Sequence, residues 1–299
     1  MTQFRAWPLV VTSLLLLPVA SEAQVRASEA ATVSQTVDGT ILTVTYSRPR
    51  VRGREVVYGG LMPWGEVWTP GANYATTLET TSDITVNGHA LPKGKYSVWM
   101  ELQPKTWTVI FDPKFKAFHT EHPKPDSTQV RFPVTPADGK GPDVLTWTFP
   151  SISTTGTTLQ MAWAGKSVTL DVAVPPSRPL TIPADLAPRY AGTYDFAWSA
   201  SDPTEKADST PPKPSTWNVR YEKGMLLCDW VGAPFPEWEH LVLIKIADNW
   251  FNPGSLVNGE LWDVVSDIVI EFDVQGGHAT GYEIRGENDE VIAKGALKK

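Results

Sequence analysis

The sequence predicts an all-β protein built in two halves. Three observations carry that expectation. Apolar and polar residues alternate over short runs along most of the chain, Xaa-Gly pairs such as Asp38-Gly39 and Asn87-Gly88 separate the runs, and five prolines crowd residues 175–188. Alternation with a period of two marks a half-buried strand. Asp-Gly and Asn-Gly tolerate positive φ and so close tight hairpins. Dense proline cannot join a sheet interior, and reads instead as an extended linker.

In the first half, residues 32–37 and 40–46 alternate on either side of Asp38-Gly39 and predict a hairpin. Further strands are expected at 76–79, 84–87, 95–102, 106–111, 129–134, 145–149, 157–163 and 167–174. Asn87-Gly88 and Ala164-Gly165-Lys166 supply tight connections. No helical period of ten residues or more interrupts the series, which argues for an antiparallel sandwich or barrel. Beyond the linker, strands are expected at 190–198, 217–221, 225–230, 241–247, 267–274, 280–285 and 290–294. Lys223-Gly224 and Gly276-Gly277 are their turns, and residues 201–216, polar with four prolines, read as a loop. The expected division is a signal segment at 1–23, a β-sandwich domain at 24–174, a linker at 175–188 and a smaller β-domain at 189–299.

The signal segment rests on its own pattern. Arg5 precedes an uncharged, mostly apolar stretch from Ala6 to Ser21, and Ser21-Glu22-Ala23 places small residues where a signal peptidase reads. That is a Sec-type leader cleaved after Ala23, which predicts a periplasmic or secreted protein. Pro8 and Pro18 interrupt a stretch already short for a membrane span. The single cysteine, Cys228, is far from the cleavage site, so a lipoprotein is not expected. No later segment is long or apolar enough for a spanning helix.

Composition narrows the function classes. The chain has 299 residues, 26 Lys and Arg against 33 Asp and Glu, and a net charge of -7. Without a basic block it makes a poor partner for nucleic acid or an anionic membrane surface. One cysteine excludes a disulfide framework, a CxxC redox pair and a cysteine-rich zinc site. In its strand, Cys228 reads as a buried structural thiol. Neither GxSxG nor GxGxxG occurs, and Tyr96 stands where a phosphate loop over Gly88–Lys95 would need Ser or Thr. No cofactor is expected.

One set of motifs is distinctive. Tyr46-Ser47-Arg48-Pro49, Val51-Arg52-Gly53-Arg54, Tyr58-Gly59-Gly60-Leu61 and Val67-Trp68-Thr69-Pro70-Gly71-Ala72-Asn73 are followed by Ala75-Thr76-Thr77 and Leu91-Pro92-Lys93-Gly94-Lys95-Tyr96-Ser97. Over residues 30–174 the chain thereby resembles the bacterial domain of unknown function 2911 family. The resemblance implies a secreted or envelope-associated β-rich domain without settled chemistry. Thr69 departs from the pattern, which leads one to expect Arg after Trp68. The second half resembles the small lipocalin-like β-barrels appended to secreted hydrolases, through Tyr190-Ala191-Gly192-Thr193-Tyr194, Glu222-Lys223-Gly224-Met225-Leu226 and Ile270-Glu271-Phe272.

Several clusters have chemical potential. Arg48, Arg50, Arg52 and Arg54 would share one face of an extended strand, and guanidinium groups suit carboxylates, phosphates and sulfated sugars. A ligand pocket using Arg48, Arg54, Asn73 and Trp68 is therefore the leading candidate. The opposing reading is a loop bent at Pro49 and Gly53, its arginines paired with Glu55, Glu66 or Asp83 or facing water. His119 and His122 form the one tight pair of metal-ligand types, but Pro113, Pro123 and Pro125 favour a loop and no third ligand lies near, so no metal is expected. Glu237 and Glu239 beside His240 could serve acid–base chemistry, though Pro234 and Pro236 again suggest a loop. Trp99, Trp107, Trp147 and Trp163 sit within alternating runs and should be core. Trp64, Trp68 and Trp250, near Gly and Pro, are the candidates for exposed contact with sugars.

The function expected is a non-catalytic binding module for a small anionic or polar ligand or an envelope protein. The alternatives are an extracytoplasmic hydrolase of glycans or esters, and a second half that only mediates assembly.

Overall fold

The computed structural model describes residues 27–139, 141–199 and 215–299. The signal segment at 1–23 lies outside the described residues, as do residues 201–214 of the expected loop.

β1 (Glu29–Val37) and β2 (Thr40–Arg48) form the expected hairpin, with Asp38 at φ 44° and Gly39 at φ 78°. The chain continues through β3 (Val67–Trp68), β4 (Thr77–Thr80), β5 (Ile84–Val86), β6 (His89–Leu91), β7 (Gly94–Glu101) and β8 (Trp107–Asp112). β9 (Val130–Val134), β10 (Ala137–Asp138), β11 (Thr146–Ser153), β12 (Gly156–Trp163) and β13 (Lys166–Ala173) complete the first half. One antiparallel sheet runs β1-β2-β4-β7-β8-β9 with β3 beside β7, and the other runs β11-β12-β13-β5-β6 with β10 beside β13. Leu42, Val44, Val98 and Trp107 from the first sheet meet Leu159 and Leu170 from the second, all at most 1% exposed. This is a sandwich, its two inner faces sharing one core. Trp99 points to the opposite side of β7, where it forms a small separate cluster with Ala75 and Ile110.

In the second half, α1 (Ala187–Tyr190) leads into β14 (Gly192–Trp198), β15 (Ser215–Glu222), β16 (Met225–Val231) and β17 (His240–Ala247). β18 (Trp250–Val257), β19 (Glu260–Val264), β20 (Val269–Gln275), β21 (His278–Arg285) and β22 (Val291–Ala296) follow. The strands neighbour one another as β17-β16-β15-β14-β22-β21-β20-β18, and β18 returns to β17. That closes an eight-stranded barrel, with β19 lying outside on β18. Closure gives each of the eight strands a neighbour on both sides and so removes the two exposed edges of an open sheet. β18, which contains Pro253 and Gly254, and β19 were not expected from the sequence.

Lys223-Gly224 and Gly276-Gly277 turn with positive φ at both positions, as type I′ connections require. Cys228 is fully buried inside the barrel, and burial pushes its thiol pKa up. Two adjacent residues near the start of the proline-rich segment hydrogen-bond to the two halves. The Ser177 N–H donates to Asp38 at 2.6 Å, and the Arg178 guanidinium donates to Asn252 at 2.8 Å. No helix among the described residues is long and apolar enough to cross a membrane.

Candidate functional site

The two ends of the barrel differ. Along each strand, alternate residues point inward, and at one end these are aromatic rings stacked against α1. Tyr190 lies 4.9 Å from Phe251 and 5.3 Å from Phe272, and Tyr194 lies 5.6 Å from Tyr282. Each buried phenol finds an acceptor: Tyr190 donates to Asn249 at 3.0 Å, Tyr194 to the Tyr190 carbonyl at 2.7 Å, and Tyr282 to the Asp195 carbonyl at 3.1 Å. Burial pushes the Tyr194 hydroxyl up to about 12. This end is packed shut.

The other end opens into a cavity of about 160 Å³. Trp217 forms its floor, stacked on Tyr282 at 4.7 Å and 15°. Trp198 at the end of β14, Trp230 at the end of β16 and Trp238 in the 3-10 turn Pro236–Trp238 form one wall. Trp238 lies nearly parallel to Trp230, 5.9 Å away at 20°. Leu241, Ile270 and Ile284 line the opposite side. The Trp230 indole N–H is held by Ser215 Oγ at 2.7 Å, fixing that ring. No ionisable side chain lines the cavity, so it offers dispersion and apolar burial, with no acid, base or nucleophile. Apolar cavities of this size stay dry and accept a small apolar guest. At the rim, Trp198 is 55% exposed and Phe235 is 51% exposed. Two large rings held in water around an apolar opening mark a contact surface.

The structure disperses the sequence-predicted residues of the first half. β2 ends at Arg48, and the chain then bends, with Arg52 at φ 53° and Gly53 at φ 70°. The four arginines therefore do not share a strand face. Arg48 donates from Nε to the Leu145 carbonyl at 3.2 Å and from a terminal nitrogen to Thr146 Oγ1 at 3.0 Å, tying β2 to β11. Arg54 donates to the Arg50 and Val51 carbonyls, at 2.9 and 3.2 Å, and so braces its own turn. Asn73, at φ 62°, donates to the Ser28 carbonyl at 3.1 Å and to Ser47 Oγ at 3.2 Å. Trp68 is half-buried, stacked on Trp163 at 5.9 Å and 21°. Thr69, where Arg was expected, is fully buried and donates to the Val98 carbonyl at 2.9 Å.

His119 and His122 lie in a loop, His122 with its ring 6.0 Å from Trp99. Among the described residues, no group of three or more His, Cys, Asp or Glu side chains is placed to hold a metal. His240 does not join Glu237 and Glu239 but donates from Nδ1 to the Asp229 carboxylate, 2.9 Å away on the barrel exterior. The Arg220 side chain beside Asp229, together with His240, holds that carboxyl below its usual range.

The mouth residues Trp198, Trp230 and Trp238 were not singled out from the sequence. A signal was present, since Phe196/Trp198 and Cys228/Trp230 both carry alternation through to a tryptophan at a strand end.

Comparison with known proteins places residues 28–172, the N-terminal half, within the model of a family described as "Protein of unknown function (DUF2911)". That agrees with the resemblance carried by the motifs between Tyr46 and Ser97. No curated protein matches the chain. Among solved structures, a protein of unknown function from the DUF3598 family of Nostoc punctiforme aligns with 9% identity, covering 79% of this chain and 95% of that one, at a TM-score of 0.15.

Proposed function

We propose that this chain is an extracytoplasmic, non-catalytic binding protein of two domains joined by residues 175–188. Its ligand is a small apolar molecule, or the apolar end of an amphiphile, held in the mouth of the C-terminal barrel. One observation carries the reading: four tryptophans and several aliphatic side chains surround a cavity with no ionisable lining, beneath a rim that leaves Trp198 and Phe235 exposed. The leader pattern ending at Ala23 supports the location. A guest of this kind gains about 0.8 kcal/mol for each methylene removed from water.

The test is a tryptophan-quenching titration of residues 24–299 with straight-chain alcohols of increasing length. Affinity should rise about fourfold per methylene until the cavity is filled, then level off. Val265→Trp, at the half-buried rim, should abolish the rise while far-ultraviolet circular dichroism stays unchanged. Affinity independent of chain length, or an unaffected Val265→Trp variant, would overturn the proposal. Mass spectrometry of the exported protein should find Gln24 at its amino terminus.

A further inference from the structure

The rim of the barrel mouth has a chemistry of its own. Glu237 and Glu239 flank Trp238, whose ring walls the cavity, and both carboxylates are exposed. The Glu239 carbonyl accepts the Trp230 N–H at 2.8 Å, which holds this turn against the end of β16. Elsewhere on the rim, exposed Asp267 precedes Ile268 and exposed Glu290 stands two residues before Ile292, and both isoleucines line the cavity. The Ile292 carbonyl accepts the Ser199 N–H at 2.9 Å, so the turn carrying Glu290 lies beside Trp198. Consecutive Cα atoms are about 3.8 Å apart, so each carboxylate is attached within about 8 Å of backbone from a residue lining the opening. Charge is still felt over that distance at physiological salt.

These four charges are not cancelled. Among the described residues none of them has an ion-pair partner, and Glu290, which accepts the Asn288 N–H at 3.0 Å, keeps its charge in doing so. The nearby cations are engaged elsewhere. His240 lies 2.9 Å from Asp229, and Arg285 pairs with Glu271, Glu283 and Asp289. Arg178 donates to Asn252 on the outer side of β18, and one guanidinium does not offset four carboxylates. Residues 200–214 carry Asp202, Glu205 and Asp208 against Lys206 and Lys213, and so add no net positive charge.

On the reading that the cavity holds an apolar guest, we infer that this guest is the alkyl chain of a cationic amphiphile, whose quaternary ammonium head rests on the rim. A quaternary ammonium is attracted to the faces of tryptophan and phenylalanine. The rim presents both, with Trp198 and Phe235 about half exposed and Phe235 packed edge-on to Trp238 at 5.2 Å and 77°. The carboxylates around them attract that head and repel the head of an anionic amphiphile, which gives selectivity by charge where the cavity itself has none.

The experiment is a tryptophan-fluorescence titration of residues 24–299 with hexyltrimethylammonium chloride, 1-hexanol and sodium hexyl sulfate, all below micelle-forming concentrations. At low salt the cation should bind about tenfold tighter than the sulfate, with the alcohol between them, and the ratio should shrink at high salt. Glu237→Gln combined with Glu239→Gln should cut the preference for cation over sulfate about threefold and leave the alcohol unchanged. Asp267→Asn combined with Glu290→Gln should act in the same direction. All four side chains are exposed and without ion-pair partners, so folding is preserved, which far-ultraviolet circular dichroism checks. Alcohol binding with cation and sulfate equal, or with the sulfate tighter, overturns the head-group assignment and leaves the cavity reading standing. A preference unchanged in both double variants overturns the role of the rim carboxylates. Failure of all three ligands to bind overturns the cavity reading and the head-group assignment together.

Discussion

Replacing Gly295 with alanine tests the seam at which the barrel closes. Gly295 lies in β22, directly against β14. A Cβ there would sit 2.7 Å from Cε1 and 2.8 Å from Cζ of Tyr282, and well inside contact distance of the Asp195 carbonyl oxygen. The carbonyl is backbone and the ring is packed and hydrogen-bonded, so neither can swing aside. The two strands must part instead. The parting strains the Ala197–Lys294 and Trp198–Ala293 pairs, the Ser199 N–H bond to the Ile292 carbonyl and the Tyr282 bond to Asp195. At about 1 kcal/mol for each of three or four bonds, Gly295→Ala should cost about 3 kcal/mol. Gly139→Ala is the control, because a Cβ there meets nothing within 4 Å and its φ is not left-handed. That variant should stay within about 0.5 kcal/mol of the parent, on the stabilising side if anything, since alanine restricts the unfolded chain. Urea unfolding followed by tryptophan fluorescence measures both. A Gly295→Ala protein as stable as its parent would refute closure between β14 and β22 in this register.

Two further outcomes follow from local geometry. Asn73 holds a left-handed backbone and two side-chain hydrogen bonds. Asn73→Gly should lose about 1–2 kcal/mol, and Asn73→Ala about 1 kcal/mol more, because alanine adds the backbone strain that glycine avoids; equal losses in urea would contradict this. On the barrel exterior, the Asp229 carboxyl is lowered chiefly by its hydrogen bond from Arg220 and next by His240. A lowered folded pKa contributes stability that is present above the unfolded value of about 4 and is lost as pH falls through the folded one. Arg220→Met should therefore be less stable than the parent at pH 7, and the gap should close below about pH 4; a gap that widens in acid would refute the pairing.

Much of the fold could be read from residue order, because hairpin grammar is local. Asp38-Gly39, Asn87-Gly88, Ala164-Gly165, Lys223-Gly224 and Gly276-Gly277 all take positive φ at both positions and all join adjacent strands. What escaped was long-range. Gly254 belongs in β18 because a side chain there would meet the Asp263 carbonyl and Ile244 Cδ1, each at 2.9 Å, so a residue resembling a breaker is a packing requirement. Arg48 looked available for a ligand, and only the fold brings Leu145 and Thr146 to its guanidinium. The cavity was hidden for the same reason, since Ile270 and Ile284 reach the wall facing Trp198, Trp230 and Trp238 only when the ring of strands closes.

That ring imposes an order of events on the nascent chain. Seven of the eight barrel strands are complete before residues 291–296 exist, yet β14 has no partner on one side until β22 arrives, roughly a hundred residues later. Until then β14 and β21 are two bare edges flanking a sheet rich in tryptophan and tyrosine, each able to pair with another chain. Loss of the last strand would therefore leave an aggregation-prone open sheet in place of a slightly weakened barrel, and two such chains could complete each other by exchanging strands. Residues 291–296, short and unremarkable in composition, with Ala293 alone fully buried among them, govern when this half of the protein becomes a monomeric object at all.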